Sequence, residues 1–149
     1  MNKDVLIIIG SKSDRDIADA AIGMLEELSI GYRLEISSAH RHPDKTISLA
    51  RGAADAGFKV VICMAGMAAH LPGVVAANTN LPVIGVPVAA SLGGMDSALS
   101  MIQMPPGIPV ATVAIGKAGA KNSAVLAARI LGLSDEKIAA KHTDYRQSL

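Results

Sequence analysis

A chain of 149 residues with a formal charge of +1 suits one domain with a sizeable core, and it carries no basic surface for gripping a nucleic-acid backbone. Half of its residues are hydrophobic but only Tyr32, Phe58 and Tyr145 are aromatic, which gives an aliphatic core and no platform for stacking unpaired bases. Cys63 is the single cysteine, so no intrachain disulfide can form, and the short apolar run at 5–9 is far below the length of a signal segment or a membrane span; a cytoplasmic protein without a nucleic-acid or membrane partner is expected.

In chain order, the sequence alternates apolar runs with helical patterns. Residues 5–9 read as a first strand, followed by Gly10-Ser11-Lys12-Ser13-Asp14. A helix comes next, with Ile17, Ala20, Ala21, Met24, Leu25 and Leu28 at helical spacing and the acidic residues falling elsewhere. Residues 32–36 give a second strand, leading into Ser37-Ser38-Ala39-His40-Arg41-His42 and a helix from Pro43 to about Ala56, before Gly57. The third strand, 60–64, runs into Ala65-Gly66-Met67-Ala68-Ala69-His70, and a helix follows with Pro72 near its start.

A fourth strand at 83–86 precedes a helix over about 94–103, which ends before Met104-Pro105-Pro106. A fifth strand at 110–113 leads to an alanine-rich helix over about 120–131 that breaks at Gly132. This helix has more apolar surface than one core would use, and the excess is expected at a subunit contact. A last helix over about 134–148 is expected to be capped by Ser134, with Asp135 and Glu136 in its first turn, and to take part in subunit packing.

The strand patterns are continuous rather than alternating, as in strands covered on both faces. Strands alternating with helices define an α/β fold, a doubly wound parallel sheet with helices on both faces. No linker or fixed-period repeat divides the chain, so residues 1–149 are expected to form a single domain.

In such sheets ligands bind beyond the carboxyl ends of the strands, and three of those ends carry chemistry here. Ser11, Ser13 and the amides after Gly10 suit a phosphate, although Ser13 or Asp14 would equally serve as an ordinary helix cap. The loop fits neither a Walker nor a dinucleotide template. His40 is a candidate general base beside Arg41, a candidate phosphate clamp; as plainer readings, Arg41 is a solvated charge and His42 a neighbour of a helix cap. The small residues around Gly66 and Ala68 let peptide planes approach a flat ring, and His70 either contacts a ligand or simply begins a helix.

Rival chemistries fit less well. His40 and His42 have His-x-His spacing and His70 offers a third nitrogen, but no carboxylate pair stands beside them, so no metal is expected. A nucleophile-elbow pattern is absent, and Cys63 lies within a strand. A non-catalytic nucleotide- or flavin-binding module on the same fold stays open, although flanking aromatics for a flavin are scarce and no acidic cluster marks a phosphoacceptor.

The ordered segments Gly10-Ser11-Lys12-Ser13-Asp14, Ser38-Ala39-His40-Arg41 and Ala68-Ala69-His70-Leu71-Pro72-Gly73 resemble the signatures of the N5-carboxyaminoimidazole ribonucleotide mutase family. The stretches 103–110 and 114–119 resemble the same family, so the likeness runs through nearly the whole chain. The resemblance implies a flavodoxin-like three-layer sandwich with a five-stranded parallel sheet, assembled as a homo-octamer. It also implies a cofactor-free isomerase of de novo purine biosynthesis, moving a carboxyl group from nitrogen to ring carbon of a small-molecule ribonucleotide. Carried over by motif, Ser11, Ser13, Asp14, Ser38 and Arg41 would surround phosphate and ribose. Gly66, Ala68, His70 and Leu71 would line the ring and carboxylate pocket, and His40 would transfer the proton.

The chain departs from the family pattern at Met67, where glycine is common, at Arg15, where tryptophan is common, and at His42, where threonine is usual. Its segment 87–92 is shorter and less polar than typical, which bears on the lid over the substrate. A sister branch carboxylates the bare aminoimidazole ribonucleotide with carbon dioxide. It carries an arginine and a Ser-Asn pair after the third-strand Ala-Gly; Met67-Ala68-Ala69-His70 favours the mutase, with direct carboxylation as the alternative.

Overall fold

The computed structural model describes residues 3–149. Five parallel strands form one sheet: β1 (Val5–Ile9), β2 (Tyr32–Ile36), β3 (Val60–Gly66), β4 (Val83–Val88) and β5 (Ala111–Thr112), in the order β2-β1-β3-β4-β5. The connecting helices are α1 (Arg15–Glu27), α2 (Pro43–Gly52), α3 (Leu71–Ala76), α4 (Met95–Ile102), α5 (Lys117–Leu131) and α6 (Glu136–Gln147).

The first strand shows why three layers form. Val5, Ile7 and Ile9 point into one core with α1 and α5, whereas Leu6 and Ile8 point into a second core with α2, α3 and α4. A strand whose side chains alternate between two dry faces must be apolar throughout, and all five residues of β1 are buried. Each large aliphatic side chain removed from water contributes about 1.5–3 kcal/mol.

The expectation of continuous strands fails at the edge. In β2, Arg33 and Glu35 alternate with Tyr32 and Leu34, because the strand has a neighbour on one side only. The Glu35 carboxyl would be raised by its partial burial, but Arg33 and Lys45 more than offset this and hold it below the usual glutamate range. At the other edge β5 is shorter than residues 110–113, pairing only with Ile84 and Gly85. By Pro87 the fourth strand has therefore run past β5, so the missing proline N–H breaks no ladder bond there.

Helix ends differ from the sequence reading for local reasons. The second helix stops at Gly52, well before Ala56, where the Ala53 amide turns to the Ala50 carbonyl in a tighter turn. The fifth begins at Lys117, three residues ahead of Ala120, and includes Gly119. A Cβ on Gly119 would lie 1.5 Å from the Ala114 carbonyl oxygen, so only glycine lets this first turn seat.

Ser134 does not cap the last helix. Asp135 does, its carboxylate accepting from the amides of Lys137 and Ile138, while the Ser134 hydroxyl donates to the Leu131 carbonyl. Much of the excess apolar surface of α5 is covered within the chain, because α5 lies between α1 and α6 and packs Val125, Leu126 and Ile130 against that core.

Candidate active site

Strand order determines which loops meet. The strands β2 and β3 flank β1, so the loops leaving all three rise side by side at the carboxyl edge of the sheet, at the point where the winding reverses. They enclose a cleft of about 600 Å³.

The loop after β1 is folded by its own polar groups. Gly10 continues the sheet by donating to the Met64 carbonyl, and a 3-10 turn, Lys12–Asp14, follows. Ser11 caps that turn, accepting from the Ser13 amide at 3.3 Å and the Ser13 hydroxyl at 3.0 Å. The Asp14 carboxylate accepts from the Ser11 amide at 3.0 Å. Thus neither Ser13 nor Asp14 makes the side-chain cap of α1 that the plainer reading offered. Asp14 is only 7 % exposed, and burial raises its carboxyl above the ordinary aspartate value against the lowering effect of the Ser11 amide.

The loop after β2 is tied from below. The Ser37 hydroxyl meets the Thr46 hydroxyl at 2.8 Å in the core, and Thr46 also donates to the His42 carbonyl, so α2 anchors this loop. Above the anchor, the Ser38 hydroxyl accepts from the Arg41 amide at 3.2 Å. No ion pair engages the Arg41 guanidinium among the described residues, which leaves an exposed cation at the rim of the cleft.

The loop after β3 completes the floor. Gly66 lies against β4, where a Cβ would come within 3.2 Å of the Val88 carbonyl oxygen; its smallness serves strand packing as well as ligand approach. Leu71 is buried at the start of α3, and Ala68 is exposed to the cleft. His70, exposed at the N-cap position of α3, makes no side-chain cap bond. Its Nδ1 lies 2.7 Å from Nε2 of His40, with the rings edge to face at 81°. One of these nitrogens must donate and the other accept.

All ten residues singled out from the sequence therefore line one cleft: Ser11, Ser13 and Asp14 from the first loop, Ser38, His40 and Arg41 from the second, and Gly66, Ala68, His70 and Leu71 from the third. Two further contributions lie outside those ten. The end of β4 supplies Val88, Ala89 and Ala90 as a fourth wall, within the segment 87–92 that the sequence linked to a lid. The side chain of Met67 also lines the cleft, at a position the sequence marks only as a departure from the usual glycine.

His42 stands at the start of α2 and is not among the cleft residues, so the three imidazoles do not converge. Among the described residues no group of three or more His, Cys, Asp or Glu side chains is placed to hold a metal ion. Cys63 is wholly buried and its thiol is pushed up by desolvation, so it takes no part. No helix among the described residues is long and apolar enough to cross a membrane.

A doubly wound parallel sheet with hydroxyls, a free guanidinium and a paired imidazole at its carboxyl edge places the chain among flavodoxin-like proteins with a cleft suited to a small phosphorylated ligand. Comparison with known proteins narrows this class. Residues 4–149 match the family described as AIR carboxylase, and the chain belongs to that family.

Among curated proteins, the N5-carboxyaminoimidazole ribonucleotide mutase of Brucella melitensis is 53% identical over 99% of this chain and 92% of its own length. The Bacillus subtilis protein of the same name is 52% identical over 95% of this chain and 88% of its own length. Among solved structures, a crystal structure of Treponema denticola PurE superposes with a TM-score of 0.86 at 33% identity, covering 97% of this chain and 89% of that one. A Treponema denticola PurE2 variant gives a TM-score of 0.89 at 32% identity, covering 99% and 91%.

Proposed function

We propose that this chain converts N5-carboxyaminoimidazole ribonucleotide to 4-carboxy-5-aminoimidazole ribonucleotide, an isomerisation of de novo purine biosynthesis. Curated relatives at about half identity over nearly the whole chain bear the mutase name, which favours this reading over direct carboxylation and over a non-catalytic module. The observation that carries the chemistry is the 2.7 Å contact between His40 and His70 at one end of a cleft whose other wall presents Ser11, Ser13 and Asp14.

In this reading the phosphate and ribose are held by Ser11, Ser13, Asp14, Ser38 and Arg41, and the ring rests against Gly66, Ala68, His70 and Leu71. The bond from the exocyclic nitrogen to the carboxyl carbon breaks, its electron pair stays on nitrogen, and carbon dioxide is retained beside the ring. The electron-rich C4 then attacks that carbon. Retention makes the second step intramolecular and lowers its barrier by several kcal/mol. Apolar walls assist the first step, because a carboxylate poorly solvated by its surroundings loses carbon dioxide more readily.

His40 accepts the C4 proton as the ring regains aromaticity, and a proton returns to the nitrogen. Protons and electrons balance without redox chemistry or an external phosphoryl donor. His70, in contact with the same imidazole, fixes which His40 nitrogen is free to act.

The chain works as a single catalytic domain over 1–149, assembled as a homo-octamer in the cytoplasm. Support for assembly is an exposed apolar stripe formed by Leu92, Met95, Leu99 and Ile102, which recur at helical spacing along and just before α4. The mostly polar helix α6 takes part in packing between subunits through surface not used against α5. The unpaired, buried Cys63 accords with a reducing compartment.

The deciding measurement supplies purified protein with the N5-carboxylated nucleotide, or with the bare nucleotide at low and high bicarbonate, in the absence of ATP. Conversion of the carboxylated nucleotide at low bicarbonate is expected. Turnover restricted to the bare nucleotide at high bicarbonate would make the enzyme a direct carboxylase.

A further inference from the structure

Among the described residues Met67 is one of two non-glycine residues with positive φ, at 53°, the other being Ser29 at 59°. For a residue with a Cβ this backbone costs about 1–2 kcal/mol. Ser29 closes the C-terminal turn of α1, where the Ile30 amide returns to the Leu25 carbonyl. At Met67 the left-handed residue opens a tight reversal in which the Ala69 amide reaches the Met67 carbonyl and the His70 amide reaches the Ala68 carbonyl, both at 2.8 Å. That reversal delivers His70 to His40, but it needs only the backbone, and glycine would supply it without strain.

The side chain therefore calls for a separate reason, and burial is not that reason, since Met67 is 63 % exposed. It belongs to neither core and lines the cleft. The neighbouring rim is built from Ala39, Ala68, Ala89 and Ala90, none long enough to cover a bound ring. Met67 is the exposed cleft residue with a long apolar side chain, and its unbranched thioether has three rotatable bonds with which to adapt to a surface. Strain retained at a ligand cleft without a packing gain points to function.

We propose that Met67 is the apolar cover of the cleft: when the nucleotide is bound, its side chain folds over the ring and the migrating carboxyl group and excludes water from them. This inference rests on the proposed mutase reaction and names the residue that keeps its intermediate in place. After the nitrogen–carbon bond breaks, carbon dioxide either is attacked by C4, with the C4 proton passing to His40, or escapes. Escape leaves the electron pair on the nitrogen, which takes a proton, and the nucleotide departs uncarboxylated. The cover sets the partition between these two fates.

Two measurements test it. Met67→Gly is expected to fold with a Tm at or above that of the wild type, yet to release several times more carbon dioxide and uncarboxylated nucleotide per product formed. Met67→Leu, which restores an apolar side chain of similar reach, returns the partition close to wild type. Independently of turnover, mild peroxide followed by peptide mass spectrometry reads access to the Met67 thioether. Saturating 4-carboxy-5-aminoimidazole ribonucleotide is expected to slow its oxidation severalfold, whereas inorganic phosphate is not.

A Met67→Gly enzyme with the wild-type partition, or equal oxidation with and without the nucleotide, overturns the proposal. If the wild-type protein binds the product nucleotide but fails to convert the substrate, the mutase reading falls, and protection of Met67 still decides whether it covers the cleft.

Discussion

His40 Nε2 and His70 Nδ1 lie 2.7 Å apart although thirty residues separate them in the chain. The contact spans the end of β1, because His40 leaves β2 and His70 follows β3, the two strands on either side of it. Adjacent strands sit about 4.8 Å apart, so two rings reaching inward close the gap. In such a contact one nitrogen donates and the other accepts, so each ring orients the other. His40→Asn is expected to bind product nucleotide within a few-fold of wild type while kcat falls by about 10²–10⁴-fold, the usual worth of a general base. His70→Phe should retain more turnover than His40→Asn yet lower kcat more than nucleotide affinity, since His40 loses its orienting partner. A wild-type kcat in His70→Phe would leave His70 without a positioning role.

Arg41 provides a separable test of ligand binding. Its backbone amide is fixed on the Ser38 hydroxyl while its guanidinium has no ion-pair partner among the described residues, so truncation leaves the loop intact. A hydrogen bond to a charged group contributes about 1.5–3 kcal/mol. Arg41→Ala should therefore weaken nucleotide binding by about 10- to 100-fold with a smaller effect on the rate at saturation. Calorimetric titration with the product nucleotide reads this directly, and an unchanged Kd removes Arg41 from the phosphate site.

Much of this architecture is legible in the sequence because parallel strands buried on two faces require unbroken aliphatic runs, and β1 and β3 have them. The same rule misreads β2, whose alternation comes from its edge position, and position in the sheet is a property of topology that no local window contains. The chemistry-bearing loops are legible because strand ends carry unusual polar residues such as Ser11 and His40. Met67 shows only as a departure from a usual glycine, since the role proposed for it rests on a backbone angle and on the alanines around it. The early start of α5 is equally hidden: the helical pattern reads from Ala120, and only the fold shows the Ala114 carbonyl occupying the place of a Cβ on Gly119.

Asp14 links the site to stability. Burial raises its folded-state pKa above the ordinary aspartate value of 3.8, so the folded chain holds this proton more tightly than the unfolded chain. Its contribution to stability is then greatest below the unfolded value and is lost as pH rises through the folded one; at neutral pH the ionised, buried carboxylate is a net cost. Asp14→Asn keeps an oxygen to accept the Ser11 amide while removing the charge. The variant should be more stable than wild type at neutral pH, with the difference shrinking as pH falls toward 3.8. The gain should come with weaker nucleotide binding, because a carboxylate is the stronger acceptor for ribose hydroxyls. Thermal unfolding across pH checks the sign, and a variant less stable at neutral pH would refute it.

The outer surface of α4 is the feature that a single chain does not explain. Leu92, Met95, Leu99 and Ile102 are each more than half exposed, at 66 %, 57 %, 53 % and 55 %, and their spacing sets them on one stripe. Covering such a stripe with a second copy contributes about 1.5–3 kcal/mol for each side chain fully buried, repeated at every equivalent interface of a closed assembly. One charge within it should therefore act on assembly well before it acts on the fold, since Leu99 lies outside both cores. Leu99→Glu is expected to sediment as a smaller species than wild type at equal concentration, with its helical circular dichroism retained. A variant that sediments as the wild type does would remove α4 from the proposed subunit interface.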